Sequence, residues 1–240
     1  ARLGYQGQRT STRKSALKHL ISGRKSWRHT QIALPNWPKM PGEYQAWSES
    51  RYRCLSMAAT IQRRIGLTYN MSFMENPYDA SDARTQFIHS IVTQGFPATC
   101  CTSVVIYAAI GRRLGYPINI VKTREHLFCR FEDKDERFNI EATNPGFYVW
   151  DDEHYHTYPK PIQINALRRG VFMRNLTPRQ ELALFLNLRW QCFLDNMLFE
   201  EAVEAFDGTG LHGRADVQHF ERDFTFETRL KRPVDGTNSA

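Results

Sequence analysis

One helix with a stop signal at each end constrains the fold more than any other feature of the 240-residue chain. Gly95 and Pro97 keep the chain non-helical before Cys100. Gly115 favours a left-handed cap, and Pro117 forbids continuation of the helix. The apolar face between these signals has 3-4 spacing and consists of Val104, Tyr107, Ala108, Gly111 and Leu114. The pattern predicts a helix from Cys100 to Leu114, with Cys100 in its first turn.

Three segments with strand character follow this helix and are joined by polar turns. They are residues 118–122, 126–132 and 137–143. The acidic stretch 133–136 between the last two is typical of a hairpin turn. Antiparallel pairing about that turn places residue 126 opposite residues 141–143, so His126 and Glu141 are expected to project from one face. The order of elements predicts an α+β fold, with the Cys-bearing helix and its flanking helices on one side of a small antiparallel sheet.

Cys100, His126 and Glu141 suit a cysteine nucleophile. A thiol attacks as its thiolate, which a helix N-terminus and a neighbouring imidazole both favour. A carboxylate that holds one imidazole nitrogen turns the other nitrogen toward the thiol. Each residue type alone is more often structural or solvated, but the order of nucleophile helix, His strand and acid strand is a particular arrangement. The sequence therefore predicts a catalytic group that acts on an amide or related acyl bond.

These segments resemble the transglutaminase-like superfamily, whose core is papain-like, over about residues 84–165. The resemblance rests on Thr99-Cys100, Ser103, Tyr107, Ala108-Ala109, Arg112-Arg113-Leu114-Gly115 and Pro117 for the Cys helix, on His126-Leu127-Phe128 for the His strand, and on Asn139-Ile140-Glu141-Ala142-Thr143 for the acid strand. More closely, the chain is similar to bacterial proteins in which such a core precedes a tetratricopeptide-like helical tail. The resemblance implies a Cys100 thioester that is resolved by water in a protease or deamidase, or by an amine in a transglutaminase.

The resemblance also selects between two neighbouring cysteines. Family spacing from the nucleophile to the Gly-x-Pro at the helix end picks Cys100 over Cys101, which is interpreted as buried structure. Two departures stand out. Glu141 occupies the place where the family commonly has Asp, and the segment 96–99 replaces the usual small polar lead-in to the cysteine.

Other candidate site residues lie on either side of the triad. Gln94, six residues before Cys100, is the candidate oxyanion donor beside the Cys N–H. Residues 151–165 are predicted to be a surface loop, and the wider segment 144–165 one wall of the cleft. The aromatic residues of that wall are Tyr148, Trp150, Tyr155 and Tyr158. His154 and His156 lack a second anchored ligand pair, so no metal and no cofactor are predicted.

Charge and turn residues divide the chain into four parts. Residues 1–42 form a basic N-terminal arm with nine Lys or Arg and no acid, and three prolines near its end mark a boundary. Residues 43–170 are predicted to be the catalytic core. Residues 171–211, which begin a helix at Thr177-Pro178, resemble one tetratricopeptide-type helical hairpin. Residues 212–240 form a charged tail.

Two other functions remain open. The first is a catalytically silent module that binds a partner protein through the C-terminal helices, which predicts a buried or misaligned Cys100. The second is nucleic-acid binding through the basic arm, since the net charge is +7. The leading hypothesis instead predicts a protein or peptide substrate.

Composition also sets expectations about the setting of the chain. No run of about 18 apolar residues occurs, so no membrane span is predicted. Five irregularly spaced cysteines favour a reducing, cytoplasmic compartment. The first residue is not Met, which is consistent with a piece of a longer protein.

Overall fold

The computed structural model of the protein describes residues 47–71 and 80–207. The basic arm predicted for residues 1–42 and the tail predicted for residues 212–240 lie outside the described residues. Across the two described ranges the fold is α+β, with eight α-helices and one three-stranded antiparallel sheet. None of the helices in these ranges combines the length and the apolar content needed to cross a bilayer.

The elements follow one another in a simple order. The helices are α1 (Glu49–Thr60), α2 (Ala83–Gln86), α3 (Ile88–Gln94), α4 (Cys100–Arg113), α5 (Asp152–Thr157), α6 (Ile164–Arg168), α7 (Pro178–Asp195) and α8 (Phe199–Asp207). The strands are β1 (Ile118–Thr123), β2 (His126–Glu132) and β3 (Arg137–Ile140), in the spatial order β1-β2-β3. A π-helical turn, Ile61–Ile65, extends α1.

Helix α4 confirms the helix predicted from residue 100. Thr99 is its N-cap, and the Thr99 and Thr102 side chains each accept a hydrogen bond from the other residue's backbone N–H. The helix ends at Arg113, and Gly115 adopts a φ of +83°, where only glycine is unstrained. The capping box therefore fixes Cys100 as the first helical residue.

The strand register places the predicted His and Glu side by side. A two-residue turn joins β1 to β2, so that Thr123 pairs with His126. Cys129 pairs with Ile140 across β2 and β3, and the same register extended brings residue 126 level with residue 143. Glu141 lies two residues away on the same face, as predicted. The third strand is shorter than predicted, because Glu141 pairs instead with Tyr148 in an isolated bridge.

Helices cover both faces of the sheet, which corrects the prediction that they lie on one side. One face packs against α4 in the main core, which includes Val104, Tyr107, Leu127, Cys129 and Ile140. The other face carries Val121 and Phe128, which pack with Tyr155 of α5. The Tyr155 ring stacks on that of Phe128 with centroids 3.8 Å apart. The small sheet thus lies between α4 on one face and α5 on the other.

The prediction of a surface loop over residues 151–165 was wrong, because the segment contains α5 and the start of α6. Asp151 caps α5 by accepting from the His154 N–H at 2.7 Å. Tyr155 is fully buried. A helix this short owes its stability to tertiary contacts rather than to its own sequence, so polar composition alone concealed it.

The C-terminal helices α7 and α8 form the predicted hairpin. Thr177 caps α7, with Gln180 completing the capping box. Leu184 and Leu188 of α7 join the main core. Glu181 receives two hydrogen bonds from Arg112 of α4, at 2.6 and 2.7 Å. The hairpin is therefore anchored to the helix that carries Cys100.

Two short helices precede α4. Phe87 separates α2 from α3 with extended backbone angles of −105° and 131°. Gly95 ends α3 with a φ of +80°.

Gly111 marks the closest approach of α4 to the sheet, and an added methyl group is expected to destabilise the fold. A Cβ at this position would lie 2.5 Å from Cγ1 of Ile118. We expect Gly111→Ala to lower the free energy of unfolding in urea by ~1–3 kcal/mol through overpacking. Arg113→Ala, at an exposed position on the same helix, serves as the control. Equal stability of the two variants would contradict this packing.

Candidate active site

His126 and Glu141 form a buried pair at the end of the sheet. Nε2 of His126 lies 2.9 Å from Oε2 of Glu141. His126 is the first residue of β2, directly after the tight turn from β1, and Glu141 follows the last residue of β3. The contact fixes the ring orientation and leaves Nδ1 as the nitrogen free to exchange a proton elsewhere.

The Glu141 carboxylate is 2% exposed and accepts hydrogen bonds on both oxygens. Oε1 accepts from the backbone N–H of Thr143 at 2.9 Å and from its hydroxyl at 2.6 Å. Oε2 accepts from the Tyr155 hydroxyl at 3.1 Å, in addition to its contact with His126. Burial raises the pKa of this carboxyl, but the charge of His126 and the bonds from Thr143 outweigh it, so the pKa is lowered. Glu141 is thus held as an anion.

A second polar network holds α5 against the sheet and so positions Tyr155. Arg130, a buried residue of β2, donates to Oδ1 of Asp152 at 2.6 Å and to Oδ1 of Asn139 at 2.8 Å. The Asn139 amide also donates to Asp152, at 2.8 Å. Thr123 donates to the backbone carbonyl of Tyr155. These bonds fix the start of α5. Tyr155 therefore reaches Glu141 from the sheet face that carries Val121 and Phe128.

The loop after Glu141 is held from the other side by Gln62, which lies in the π-helical turn. The Gln62 amide donates to the Gly146 carbonyl and accepts from the Gly146 N–H, both at 2.7 Å. The same amide donates to the hydroxyl of Tyr107 on α4. The irregular turn at the end of α1 thus fixes the segment that supplies Thr143.

Cys100 is the first residue of α4, and its thiol is close enough to His126 for the imidazole to influence its pKa. The Cys101 thiol and the His126 imidazole both lower its pKa, burial and Glu141 oppose them, and the net result is a pKa of about 5. Burial disfavours charge on His126, but Glu141 and Cys100 outweigh it and raise the His126 pKa to about 10. Between about pH 5 and 10 the pair is therefore a thiolate and an imidazolium.

The first turn of α4 offers hydrogen-bond donors beside the sulfur. The Thr102 N–H binds the Thr99 hydroxyl and the Ser103 N–H binds the Thr99 carbonyl. Helix geometry leaves the N–H groups of Cys100 and Cys101 without an intrahelical acceptor. Such groups can stabilise negative charge on the oxygen of a carbonyl group that lies beside the sulfur.

Gln94 is not brought to the triad by any contact in the described part of the chain. It is the last residue of α3 and is exposed. Its oxyanion role stays a prediction.

A column of aromatic rings runs from the surface to His126. The Tyr148 ring stacks on Trp150 at 5.9 Å, Trp150 on His154 at 4.5 Å, and His154 on Tyr158 at 5.1 Å. Tyr158 meets His126 edge to face at 5.6 Å. The rings of Tyr148, Trp150 and Tyr158 are therefore connected to the triad through His154, and the cleft wall that they were predicted to form stays a prediction. Among the described residues no group of three or more His, Cys, Asp or Glu is arranged to hold a metal ion.

Three residues at the site had no functional role in the sequence-based hypothesis. Thr143 appeared only as part of a motif, Tyr155 as a wall residue, and Cys101 as buried structure. The signal for Thr143 was its place opposite residue 126 in the predicted register. Nothing in the sequence placed Tyr155 over Glu141, because that contact depends on the fold of α5.

Comparisons with known proteins leave the chain without an assigned family. No protein-family model matches it, and no curated protein matches it. Among solved structures it is similar to menin, in a crystal structure that reveals the binding site for the Mixed Lineage Leukemia (MLL) protein, with 12% identity and a TM-score of 0.36. The match covers 84% of this chain and 53% of that one, so the chain spans about half the length of its neighbour. At this score the likeness carries no argument about fold or function.

The charge on Glu141 is expected to set the proton affinity of His126. In Glu141→Gln the carboxylate that raises the His126 pKa is replaced by a neutral amide of the same size, so the pKa of His126 should fall by at least about 1 unit. An NMR titration of the His126 ring protons measures it. Glu153→Gln, at an exposed position on α5, is the control and should leave the titration midpoint of His126 unchanged. An unchanged midpoint in Glu141→Gln would contradict the pairing.

Proposed function

We propose that the chain is a cysteine enzyme that acts on amide or related acyl bonds, with Cys100 as nucleophile, His126 as acid and base, and Glu141 as the orienting carboxylate. The observation that carries this proposal is the buried contact of Glu141 with His126, which leaves the other ring nitrogen for the sulfur of Cys100. We further infer a transglutaminase-like, papain-like core, in which a Cys-bearing helix packs on an antiparallel sheet. The α+β architecture and the order of these elements support that inference.

The acylation step follows from the charges of the pair. The Cys100 thiolate attacks the carbonyl carbon of the amide, a C–S bond forms, and the oxygen becomes an oxyanion near the N–H groups of the first turn of α4. Collapse of the oxyanion breaks the C–N bond. The His126 imidazolium gives its proton to the departing nitrogen, which leaves as ammonia or an amine. The products are a Cys100 thioester and a neutral imidazole.

The second step regenerates the enzyme. Neutral His126 takes a proton from water or from an incoming amine as that group attacks the thioester carbon, and the C–S bond breaks to return the thiolate. Water gives a carboxylic acid, which is protease or deamidase chemistry. An amine gives a new amide, which is transglutaminase chemistry. Both routes use the same three residues and a protein or peptide substrate.

Access to the sulfur is the feature that favours a second candidate function. Cys100 is only 5% exposed. The phenols of Tyr69 and Tyr158 lie near it: burial is the main cause that raises their pKa values, and the charge of Cys100 raises them further. A catalytically silent module was predicted to have a buried or misaligned cysteine. The sulfur is buried, yet His126 is close enough to lower its pKa, so this proximity supports the enzyme and the burial supports the silent module.

An interaction role for the C-terminal helices has its own observation. Exposed large apolar side chains lie around the turn between α7 and α8 and on α8, and they include Met197 at 69%, Phe199 at 54% and Val203 at 60% exposure. Such a cluster is typical of a protein contact surface. Partner binding there and catalysis at Cys100 are compatible. Nucleic-acid binding through the arm of residues 1–42 rests on charge alone and is the weaker proposal.

Selective alkylation tests the nucleophile. We expect iodoacetamide to modify Cys100 faster than free cysteine at about pH 6, with a rate that rises through pH of about 5 as the thiolate forms. His126→Ala removes the imidazolium that favours the thiolate, so the rate at about pH 6 should fall at least ~10-fold. The measurement is site-resolved mass spectrometry of tryptic peptide 85–112, whose fragments separate Cys100 from Cys101.

His89→Ala is the matched control for the histidine variant. His89 lies on α3, stacks on Phe87 and takes no part in the triad. The rate should be unchanged in this variant. A Cys100 that reacts no faster than free cysteine in the native chain would sink the enzyme hypothesis and leave the silent module.

Turnover itself is expected to be bell-shaped in pH. Catalysis needs Cys100 deprotonated and His126 protonated, so activity rises through pH of about 5 and falls through pH of about 10. Incubation with a library of glutamine-containing peptides, followed by mass spectrometry of peptide 85–112, should trap the thioester, and Cys100→Ala should show none. Added hydroxylamine or a primary amine distinguishes amine transfer from hydrolysis. Absence of both adduct and product across the library would count against acyl chemistry.

A further inference from the structure

Cys101 lies beside the sulfur of Cys100 and differs from the other buried thiols. Sγ of Cys101 is 3.8 Å from Sγ of Cys100, a distance that suits a hydrogen bond between two sulfur atoms. By contrast, Cys129 donates to the backbone carbonyl of Val104 at 3.4 Å, which is an ordinary role for a buried thiol. The Cys101 thiol therefore contacts the proposed nucleophile, whereas the Cys129 thiol contacts a backbone carbonyl.

The two thiols divide their protons unequally. Cys101 is 2% exposed, and its pKa is raised well above the ordinary value by its bond with Cys100 and by burial. The Cys101 thiol is thus the weaker acid of the two and keeps its proton as Cys100 ionises. A hydrogen bond from a neutral donor to an anion is stronger than one between neutral groups. An S–H group at this distance can therefore stabilise the charged form of its neighbour.

The geometry of adjacent residues favours proton sharing over a covalent bond. Consecutive Cα atoms are about 3.8 Å apart. Disulfides usually join Cα atoms at least ~4.4 Å apart, so a bond between neighbours would distort the first turn of α4. That turn is held by the capping box between Thr99 and Thr102. Cys101 is therefore better placed as a donor than as a resolving cysteine.

We propose that Cys101 is a positioning residue of the active site, whose thiol donates a hydrogen bond to the Cys100 thiolate and keeps the nucleophile charged and oriented. This proposal rests on the nucleophilic role of Cys100 proposed above. It also replaces the interpretation of Cys101 as buried structure. The imidazolium of His126 and the thiol of Cys101 then both favour the charged form of the Cys100 sulfur.

The pH dependence of alkylation separates this role from simple packing. In Cys101→Ala the donor is lost, and we expect the midpoint for Cys100 alkylation to rise by at least about 1 unit from about 5, so the rate at about pH 6 should fall at least ~2-fold. Cys101→Ser retains a short donor and should restore most of the native midpoint. Cys54→Ala removes a buried thiol of the core that is outside the site, so it controls for loss of volume and should leave the midpoint unchanged.

The outcomes distinguish this proposal from the proposed function. If native Cys100 reacts no faster than free cysteine, the proposed function fails and this proposal fails with it. If native Cys100 is fast but Cys101→Ala has the same midpoint, only the role of Cys101 is overturned. The role is also overturned if Cys101→Ser shifts the midpoint as far as Cys101→Ala, because a replacement donor then has no effect.

A measurement on the native chain keeps the test open should either variant misfold. Infrared difference spectra between about pH 4 and 7 follow the S–H stretch of the buried thiols as Cys100 ionises. We expect the Cys101 band to move to lower frequency, because an S–H bond weakens when it donates to an anion. Prior alkylation of Cys100 should abolish the shift. A Cys101 band that does not respond to the ionisation of Cys100 would overturn the proposal.

Discussion

The need to satisfy one buried carboxylate organises this part of the molecule. An ionised carboxyl group inside a protein costs several kcal/mol unless charge and hydrogen bonds compensate it. Glu141 meets this requirement with donors from three elements, namely His126 at the start of β2, Thr143 in the loop after β3, and Tyr155 on α5. Loss of any one of them leaves the other groups around a less compensated charge. The path of the loop and the position of α5 therefore follow from the carboxylate as much as from apolar packing.

The same carboxylate sets the charges farther along the site. It holds the imidazolium of His126, which in turn favours the thiolate of Cys100. The polar network of Arg130, Asn139 and Asp152 is not among the causes that shift the pKa of Cys100. It fixes the position of α5, the helix that carries Tyr155. Glu141 and His126 thus set the proton affinities of the site, and the Arg130 network holds the surrounding elements in place. Such a division is typical of sites in which geometry must stay constant while protons move.

Local signals were sufficient for much of the fold. The ends of α4 could be predicted because Pro97, Gly115 and Pro117 act on their own neighbours. The pairing of β2 and β3 followed from one acidic turn, and it brought the His and the Glu to one face before any contact was known. What the sequence did not reveal depends on distant partners. Helix α5 is stabilised by Arg130, which lies 22 residues before Asp152. Its own residues read as a polar loop.

The contact between Cys101 and Cys100 shows a second limit of motif spacing. Adjacent helical residues point in directions about 100° apart, so spacing predicts that only one of two neighbouring cysteines faces the site. Rotation about the side-chain bonds nevertheless brings the two sulfur atoms to 3.8 Å.

The attachment of α7 to α4 has a consequence for how such a chain can change over evolution. The face of α7 that carries Leu184 belongs to the main core, and Glu181 closes on Arg112 at the far end of the Cys-bearing helix. Substitutions on that face change the packing of the helix that carries Cys100, so the variation of this face is constrained together with that of the core. The outer face of α8, with Phe199 and Val203, is exposed, so its variation is not constrained in this way. The surface on one side of the hairpin can therefore change while the packing around Cys100 on the other side is preserved.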